Sequence, residues 1–301
     1  MPKLILRSDP HHVVESSLRP GAALARAGVR PRKSRGQNFL VQSAIARRIV
    51  AALALVSGDS VLEIGPGLGI LTDLIVAHPI SSLALIELDA DLAAALEYRL
   101  QADSRIAVIK DDFLRVDLNN VIGDRPINVI GNLPFNVAAA ILERLCAYRE
   151  NISRMVLMFQ REVADRIRAR PGSREYGALS VFTALYWEVV DHFRVAAGNF
   201  HPQPKIDASV LTLVPRTDSL WRKDEEAAIL ATVRAAFSAP RKTLRNSFAG
   251  GLQIDPVSAE RTLLDAGIDP SRRPGTLVAA DFVRLARLFQ MNDQVSGSSD
   301  A

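Results

Sequence analysis

The chain has 301 residues, 48% of them hydrophobic, which suits one large or two modest domains around a substantial core. Its formal net charge is +4 and its pI about 9.4. One cysteine, Cys146, excludes an internal disulfide framework and a thiolate metal cluster. No run reaches the ~18 apolar residues of a membrane span and no apolar leader core opens the chain, so a soluble cytoplasmic protein is expected.

Residues 1–28 read as a flexible basic extension. Between Ser16 and Gly36 lie Arg19, Arg26, Arg30, Arg32, Lys33 and Arg35 with no acid among them. Such an arm suits a polyanion such as RNA, or is simply a solvated tail. An apolar-periodic helix is expected over Ser43–Val56. Strand-like runs follow at Val61–Ile64, Leu83–Glu87, Ile106–Ile109, Ile127–Ile130, Met155–Phe159, Val189–Val195 and Val210–Val214. Helical patterns at Gly69–Ala77, Asp91–Gln101, Val137–Arg144 and Glu162–Ala169 separate most of them. Cys146 continues the apolar face of Ile141, Leu142 and Leu145 and reads as a buried thiol. The alternation predicts an α/β, mostly parallel, doubly wound sheet, with the last two strands forming an antiparallel pair at one edge. After Pro215-Arg216 only helices are expected: Asp224–Phe237, Thr243–Phe248, Ser258–Ala266 and Ala280–Phe289. The organisation read from this is a catalytic domain over 29–216, a small all-helical C-terminal domain over 217–291 and a disordered tail over 292–301.

Two segments carry the chemistry. Val61-Leu-Glu-Ile-Gly-Pro-Gly-Leu-Gly69 is a strand entering a glycine-rich turn, at the sheet edge where open α/β folds bind ligands. Its spacing is G-x-G-x-G, with Ile70 where a dinucleotide fingerprint places a third glycine, and Pro66 removes a backbone N–H. Both details suit a phosphate-free cofactor, S-adenosyl-L-methionine, better than NAD. Glu87 ends the next strand, where a carboxylate can accept two ribose hydroxyls in either class of enzyme. Asp89 reads as a helix N-cap. Asp111-Asp112 closes the third strand, either as an acceptor for an adenine amino group or as a polar strand-end turn.

The second segment is Val129-Ile-Gly-Asn-Leu-Pro-Phe135. The exocyclic nitrogen of adenine shares its lone pair with the ring. Acceptors for both amino protons draw that nitrogen toward a tetrahedral shape and return the lone pair to it. Asn132 offers a side-chain carbonyl and Leu133 a backbone carbonyl. Pro134 restricts Leu133 to extended backbone and so directs that carbonyl. Phe135 offers a face for a flipped-out base. The bland alternative is a strand ending in an Asn-x-Pro turn. Beside a cofactor turn, the segment points to methylation of a nucleobase amine.

These residues resemble a known family, the small-subunit (16S) ribosomal RNA adenine N6,N6-dimethyltransferases of the kasugamycin-sensitivity type. The resemblance runs from about Arg30 to Phe289. Besides the two segments it rests on Gly36-Gln-Asn-Phe-Leu40, Ile86-Glu-Leu-Asp89, Gln160-Arg-Glu-Val163, Tyr176-Gly-Ala-Leu-Ser180, Phe200-His-Pro-Gln-Pro-Lys-Ile-Asp207 and Arg241-Lys-Thr-Leu-Arg-Asn246. It implies a Rossmann-like methyltransferase domain in which Asn38 and Leu40 border the methionine end of the cofactor and Gly65 lies beneath it. Glu87 would hold the ribose, Asp112 the adenine, and Asn132 would serve both cofactor and catalysis. Phe200 would be a second aromatic beside the target base, although a core aromatic before a proline-rich turn is the other reading.

The implied reaction is four methyl transfers, two onto each of two adjacent adenosines in a hairpin near the 3′ end of the RNA, late in subunit assembly. The implied partner is a pre-small-subunit particle, met by a monomer without metal. Arg32, Lys33 and Arg35, then Arg241, Lys242 and Arg245, with Arg30, Arg272 and Arg273, would grip its phosphates. Phe135 stands where Tyr is usual, and Arg35 where an apolar residue is usual. A large-subunit enzyme of the macrolide-resistance type, a non-catalytic assembly factor and an NAD-dependent oxidoreductase are the competing readings. The Arg241–Asn246 segment and the helical C-terminus favour the small-subunit enzyme over the first. Intact Glu87, Asp112 and Asn132 argue against the second, and the absent third glycine against the last.

Overall fold

The computed structural model describes residues 37–297, apart from positions 124 and 219, with side chains through Gln290. Strand β1 (Phe39–Leu40) leads into helix α1 (Ser43–Ala52), whose buried Ala46, Ile49 and Val50 form one stripe at helical spacing. The helix ends short of the expected Val56. Ala54 takes a left-handed backbone (φ 52°), and Val56 is 63% exposed beside the turn that Asp59 closes.

The sheet is then built in order: β2 (Ser60–Ile64), α2 (Thr72–Ile75), β3 (Ser82–Glu87), α3 (Ala90–Leu100), β4 (Ile106–Lys110), α4 (Asn119–Ile122), β5 (Ile127–Asn132), α5 (Ala138–Cys146), β6 (Ile152–Gln160), α6 (Arg161–Ile167), α7 (Ala178–Tyr186), β7 (Trp187–Val195), β8 (Phe200–His201) and β9 (Ala208–Pro215). The expected strands are all present. The helix expected over Gly69–Ala77 is a single turn, α2. Helix α7 and the two-residue strands β1 and β8, which pair antiparallel with each other, lie where no element was expected.

The strand order is β4-β3-β2-β5-β6-β9-β7. The first five strands are parallel, and β9 runs antiparallel to both β6 and β7, so the expected edge pair is present. Side chains alternate between two apolar layers. Leu62, Val129, Leu157 and Leu211 enter one, and Val61, Ile130, Val156 and Val210 the other. The order reverses between β2 and β5, which opens a crevice at their carboxyl ends.

Helices α8 (Glu226–Phe237), α9 (Leu244–Leu252), α10 (Pro256–Asp265) and α11 (Ala279–Gly297) complete the chain. Their core does not stop at residue 216. Trp221, Ile229, Phe248 and Phe282 belong to the same buried cluster as Leu142 and Tyr186. Tyr186 stacks edge-on to Trp221 (5.2 Å) and donates its hydroxyl to Glu226 (2.5 Å). Helix α11 runs to Gly297, so residues 292–297 continue a helix where a tail was expected. The basic extension 1–28 and residues 298–301 lie outside the described residues. No helix among the described residues is long and apolar enough to cross a membrane.

Candidate active site

The glycine-rich turn leaves β2 with Gly65 at φ 65° and Gly67 at φ 58°, a backbone that favours glycine. The Gly65 N–H donates to the Ile86 carbonyl (2.9 Å), which ties the turn to β3. A Cβ on Gly67 would meet the Phe39 ring at 3.0 Å, so β1 lies directly on the turn. Glu87, 6% exposed, clasps both sides: its Oε2 accepts from Gly67 N (3.0 Å) and its Oε1 from Asp89 N (2.8 Å). Asp89 is the N-cap expected of it. It accepts from Asp91 N (3.1 Å) and also from Gln37 Nε2 (3.3 Å).

Across the crevice, β5 ends at Asn132. Its Nδ2 donates to the Asn38 carbonyl at 2.9 Å, a contact spanning 94 positions. A carbonyl only accepts, so this bond orients the amide: the NH₂ faces Asn38 and Oδ1 is turned away from that carbonyl. Leu133 is buried at 1%, with its N–H on the Met158 carbonyl (3.3 Å). Phe135 is half-buried, backed by the apolar layer that holds Leu40.

Asn38, Leu40, Gly65, Glu87, Asn132 and Phe135 line a single cleft of about 810 Å³, open mouth included, and Leu133 and Pro134 complete the wall. Two expected residues stand elsewhere. Phe200 is opposite Leu40 in the β1–β8 ribbon, 3% exposed, with its ring in the core rather than in the cleft. Asp112 follows β4 but does not line the cleft. Its Oδ1 accepts from Leu114 N (2.9 Å), a strand-end turn. Arg241 and Lys242 are exposed between α8 and α9, and Arg245 pairs with Glu260 (2.9 Å). Arg32, Lys33 and Arg35 lie outside the described residues.

Glu63 is a cleft residue to which no role was assigned. It is 1% exposed, and its Oε2 accepts from Thr72 Oγ1 at 2.7 Å. Burial pushes its carboxyl up to about 8; the Thr72 hydroxyl draws it down, and Asp73 and Glu87 push it further up. The signal was present in the sequence, since Glu63 is the one charged residue among the buried apolar positions Val61, Leu62 and Ile64 of its strand.

The described lining holds two acidic side chains, Glu63, which burial keeps protonated, and the Glu87 carboxylate, and no Lys or Arg. That donor set suits a cationic, phosphate-free nucleoside and offers nothing to a pyrophosphate. S-adenosylmethionine fits: Glu87 can take the ribose hydroxyls, and a sulfonium or ammonium meets acids rather than bases. No group of three or more His, Cys, Asp or Glu among the described residues is arranged to hold a metal ion.

Comparison with known proteins agrees with this geometry. The ribosomal RNA adenine dimethylase family matches residues 28–290. A ribosomal RNA small subunit methyltransferase A from Syntrophotalea carbinolica is 41% identical over 262 residues, covering 87% of this chain and 97% of its own. One from Moorella thermoacetica is 39% identical over 289 residues, covering 92% and 100%. Among solved structures, a dimethyladenosine transferase from Plasmodium falciparum superposes with a TM-score of 0.71 at 23% identity, over 84% of this chain and 98% of its own. The 23S rRNA methyltransferase ErmE gives 0.62 at 25% identity, over 84% and 100%. With a cofactor turn and an Asn-Leu-Pro-Phe segment facing each other across one cleft, and a family match over nearly all the described residues, this chain belongs to the ribosomal RNA adenine dimethylase family.

Proposed function

We propose that the protein dimethylates the N6 amino groups of two adjacent adenosines in a hairpin near the 3′ end of small-subunit ribosomal RNA, using S-adenosylmethionine. It acts in the cytoplasm, as a monomer, on a pre-small-subunit particle. The observation that carries the reading is the placement of Asn132: its amide NH₂ is held by the Asn38 carbonyl at the wall of the cleft that Glu87 and Phe135 share.

When bound, S-adenosylmethionine supplies an electrophilic methyl group. The chain supplies position and polarity. Glu87, anchored by two backbone N–H groups, presents a fixed carboxylate to the ribose. Asn132 Oδ1 and the Leu133 carbonyl accept the two amino protons of adenine and localise the nitrogen lone pair. Phe135 stacks on the base. No strong general base is required, because the nitrogen sheds its proton after it has become cationic. Preorganised acceptors and orientation lower the barrier. Asp112 for the cofactor adenine and Phe200 for the target base are roles that the family resemblance alone supports, since both side chains stand outside the cleft.

The likeness to ErmE favours one second reading, a large-subunit substrate. Methyl transfer from labelled S-adenosylmethionine to small and large subunits from cells lacking the modifications, with mapping by mass spectrometry, separates them. Two adjacent N6,N6-dimethyladenosines near the 3′ end are expected. Label confined to large-subunit RNA would move the chain to the resistance-type enzymes, and particle binding without label would make it an assembly factor.

A further inference from the structure

The loop between α6 and α7, residues 168–177, reads Arg-Ala-Arg-Pro-Gly-Ser-Arg-Glu-Tyr-Gly. It is held against the C-terminal helices by two hydrogen bonds. Gly172 N donates to the Gly275 carbonyl at 2.7 Å, and the Tyr176 hydroxyl to the Leu277 carbonyl at 2.8 Å. The segment it touches is in turn tied to the start of α9. Leu244 N donates to the Arg272 carbonyl (2.7 Å) and Arg245 N to the Pro270 carbonyl (3.2 Å).

These bonds gather cations. Arg170 and Arg174 each lie two residues from Gly172, Arg273 two residues from Gly275, and Lys242 two residues from Leu244 beside Arg241. Arg241 is three residues from Leu244 and the other four cations two from their contacts, so all five side chains start within about 11 Å of chain from one backbone seam. All five are exposed, and none has a carboxylate partner among the described residues. The neighbouring cations differ: Arg168 pairs with Asp165, Arg166 with Glu162 and Arg245 with Glu260. Glu175 is the only acid in the loop. Five exposed cations without a carboxylate partner along one seam present a site for a polyanion.

The geometry points to a composite RNA-gripping face in which Arg170 and Arg174, from the loop after α6, act together with Arg241, Lys242 and Arg273, from the connections between the C-terminal helices, on successive phosphates of the substrate RNA. The hydrogen bonds at Gly172 and Tyr176 hold the two halves in register. This rests on the proposed RNA substrate and adds the loop to its recognition. The loop binds backbone, not base edges, so it sets affinity rather than the choice of nucleotide.

The test is binding of unmodified small ribosomal subunits by the full chain over a range of salt, for wild type, Arg170→Gln/Arg174→Gln, Arg241→Gln/Lys242→Gln and, as a control, Arg125→Gln. Each lost phosphate contact removes about 0.7–0.9 from the slope of log affinity against log salt. The loop variant should therefore lose about 1.4–1.8 of slope and bind about tenfold or more weakly near 0.1 M salt. Its KM should rise at unchanged kcat, and its S-adenosylmethionine affinity should match wild type. An unchanged slope and affinity in the loop variant, with binding weakened in the Arg241/Lys242 variant, overturns the composite face and leaves the RNA substrate standing. Weaker binding at an unchanged slope also overturns it, because it would put a protein on this face. Absence of methyl transfer and of salt-dependent binding in wild type removes the substrate reading itself.

Discussion

Replacing Asn132 by alanine separates what this side chain does for the fold from what it does for the reaction. In the fold it makes one hydrogen bond, Nδ2 to the Asn38 carbonyl at 2.9 Å, from a half-buried position. Losing such a bond costs about 1 kcal/mol. In a chain of this size that lowers Tm by about 2–4 °C. In the reaction it supplies one of two preorganised acceptors, and removal of one such polarising group costs about 10²–10³ in kcat, or roughly 3–4 kcal/mol. The two magnitudes differ enough to decide. Asn132→Ala should remain folded and bind small subunits as wild type does, yet transfer methyl groups at least about a hundredfold more slowly. The assays are thermal unfolding, subunit binding and single-turnover transfer of labelled methyl. Turnover within a few-fold of wild type would remove Asn132 from the mechanism. Asn132→Asp sharpens the test, because it places a carboxylate against an acceptor-only carbonyl. Its pKa should rise, so its stability deficit should shrink as pH falls and the acid regains a donor.

Phe135→Ala should lose about 1–3 kcal/mol of base stacking, read as kcat/KM, while Phe135→Tyr should be tolerated; an inactive Tyr variant would mean the ring is confined along its edge. Glu63 remains protonated in the folded chain up to about pH 8 but gives up its proton near 4.5 when unfolded. The folded state binds more protons between those values, so wild-type stability should fall across that window. Glu63→Gln removes the effect and can still accept from Thr72. Its Tm relative to wild type should rise from about pH 5 to pH 8, and parallel curves would show that Glu63 ionises in place. Gly131→Ala would set a Cβ 2.8 Å from the Ile64 carbonyl oxygen and 3.0 Å from a Leu133 methyl. The oxygen belongs to the β2–β5 pairing and cannot retreat alone, so a cost of about 1–3 kcal/mol is expected, with reduced turnover because Asn132 follows directly. Wild-type melting in this variant would contradict that packing.

The parallel sheet was legible because each of its strands is a short apolar run closed by Gly or a polar residue, and a strand buried on both faces needs that composition. Helix α7 was not. Ala-Leu-Ser-Val-Phe-Thr-Ala-Leu-Tyr is apolar almost all round, so it carries no periodic contrast, and only its burial between α6 and α8 makes it a helix. Strands β1 and β8, of two residues each, exist because they pair with each other across some 160 positions of chain. The candidate site divides in the same way. Which groups could accept an amino proton, clasp a ribose or stack on a base was written in Asn132, Leu133, Glu87 and Phe135, because chemical capacity belongs to the residue and its immediate neighbours. Their use was not. The Asn38 carbonyl turns the Asn132 amide, burial keeps Glu63 neutral against the pull of the Thr72 hydroxyl, and the β1–β8 ribbon draws Phe200 into the core while Phe135 keeps a face on the cleft. Orientation and ionisation depend on contacts between residues far apart in the chain, and those form only when the tertiary structure does.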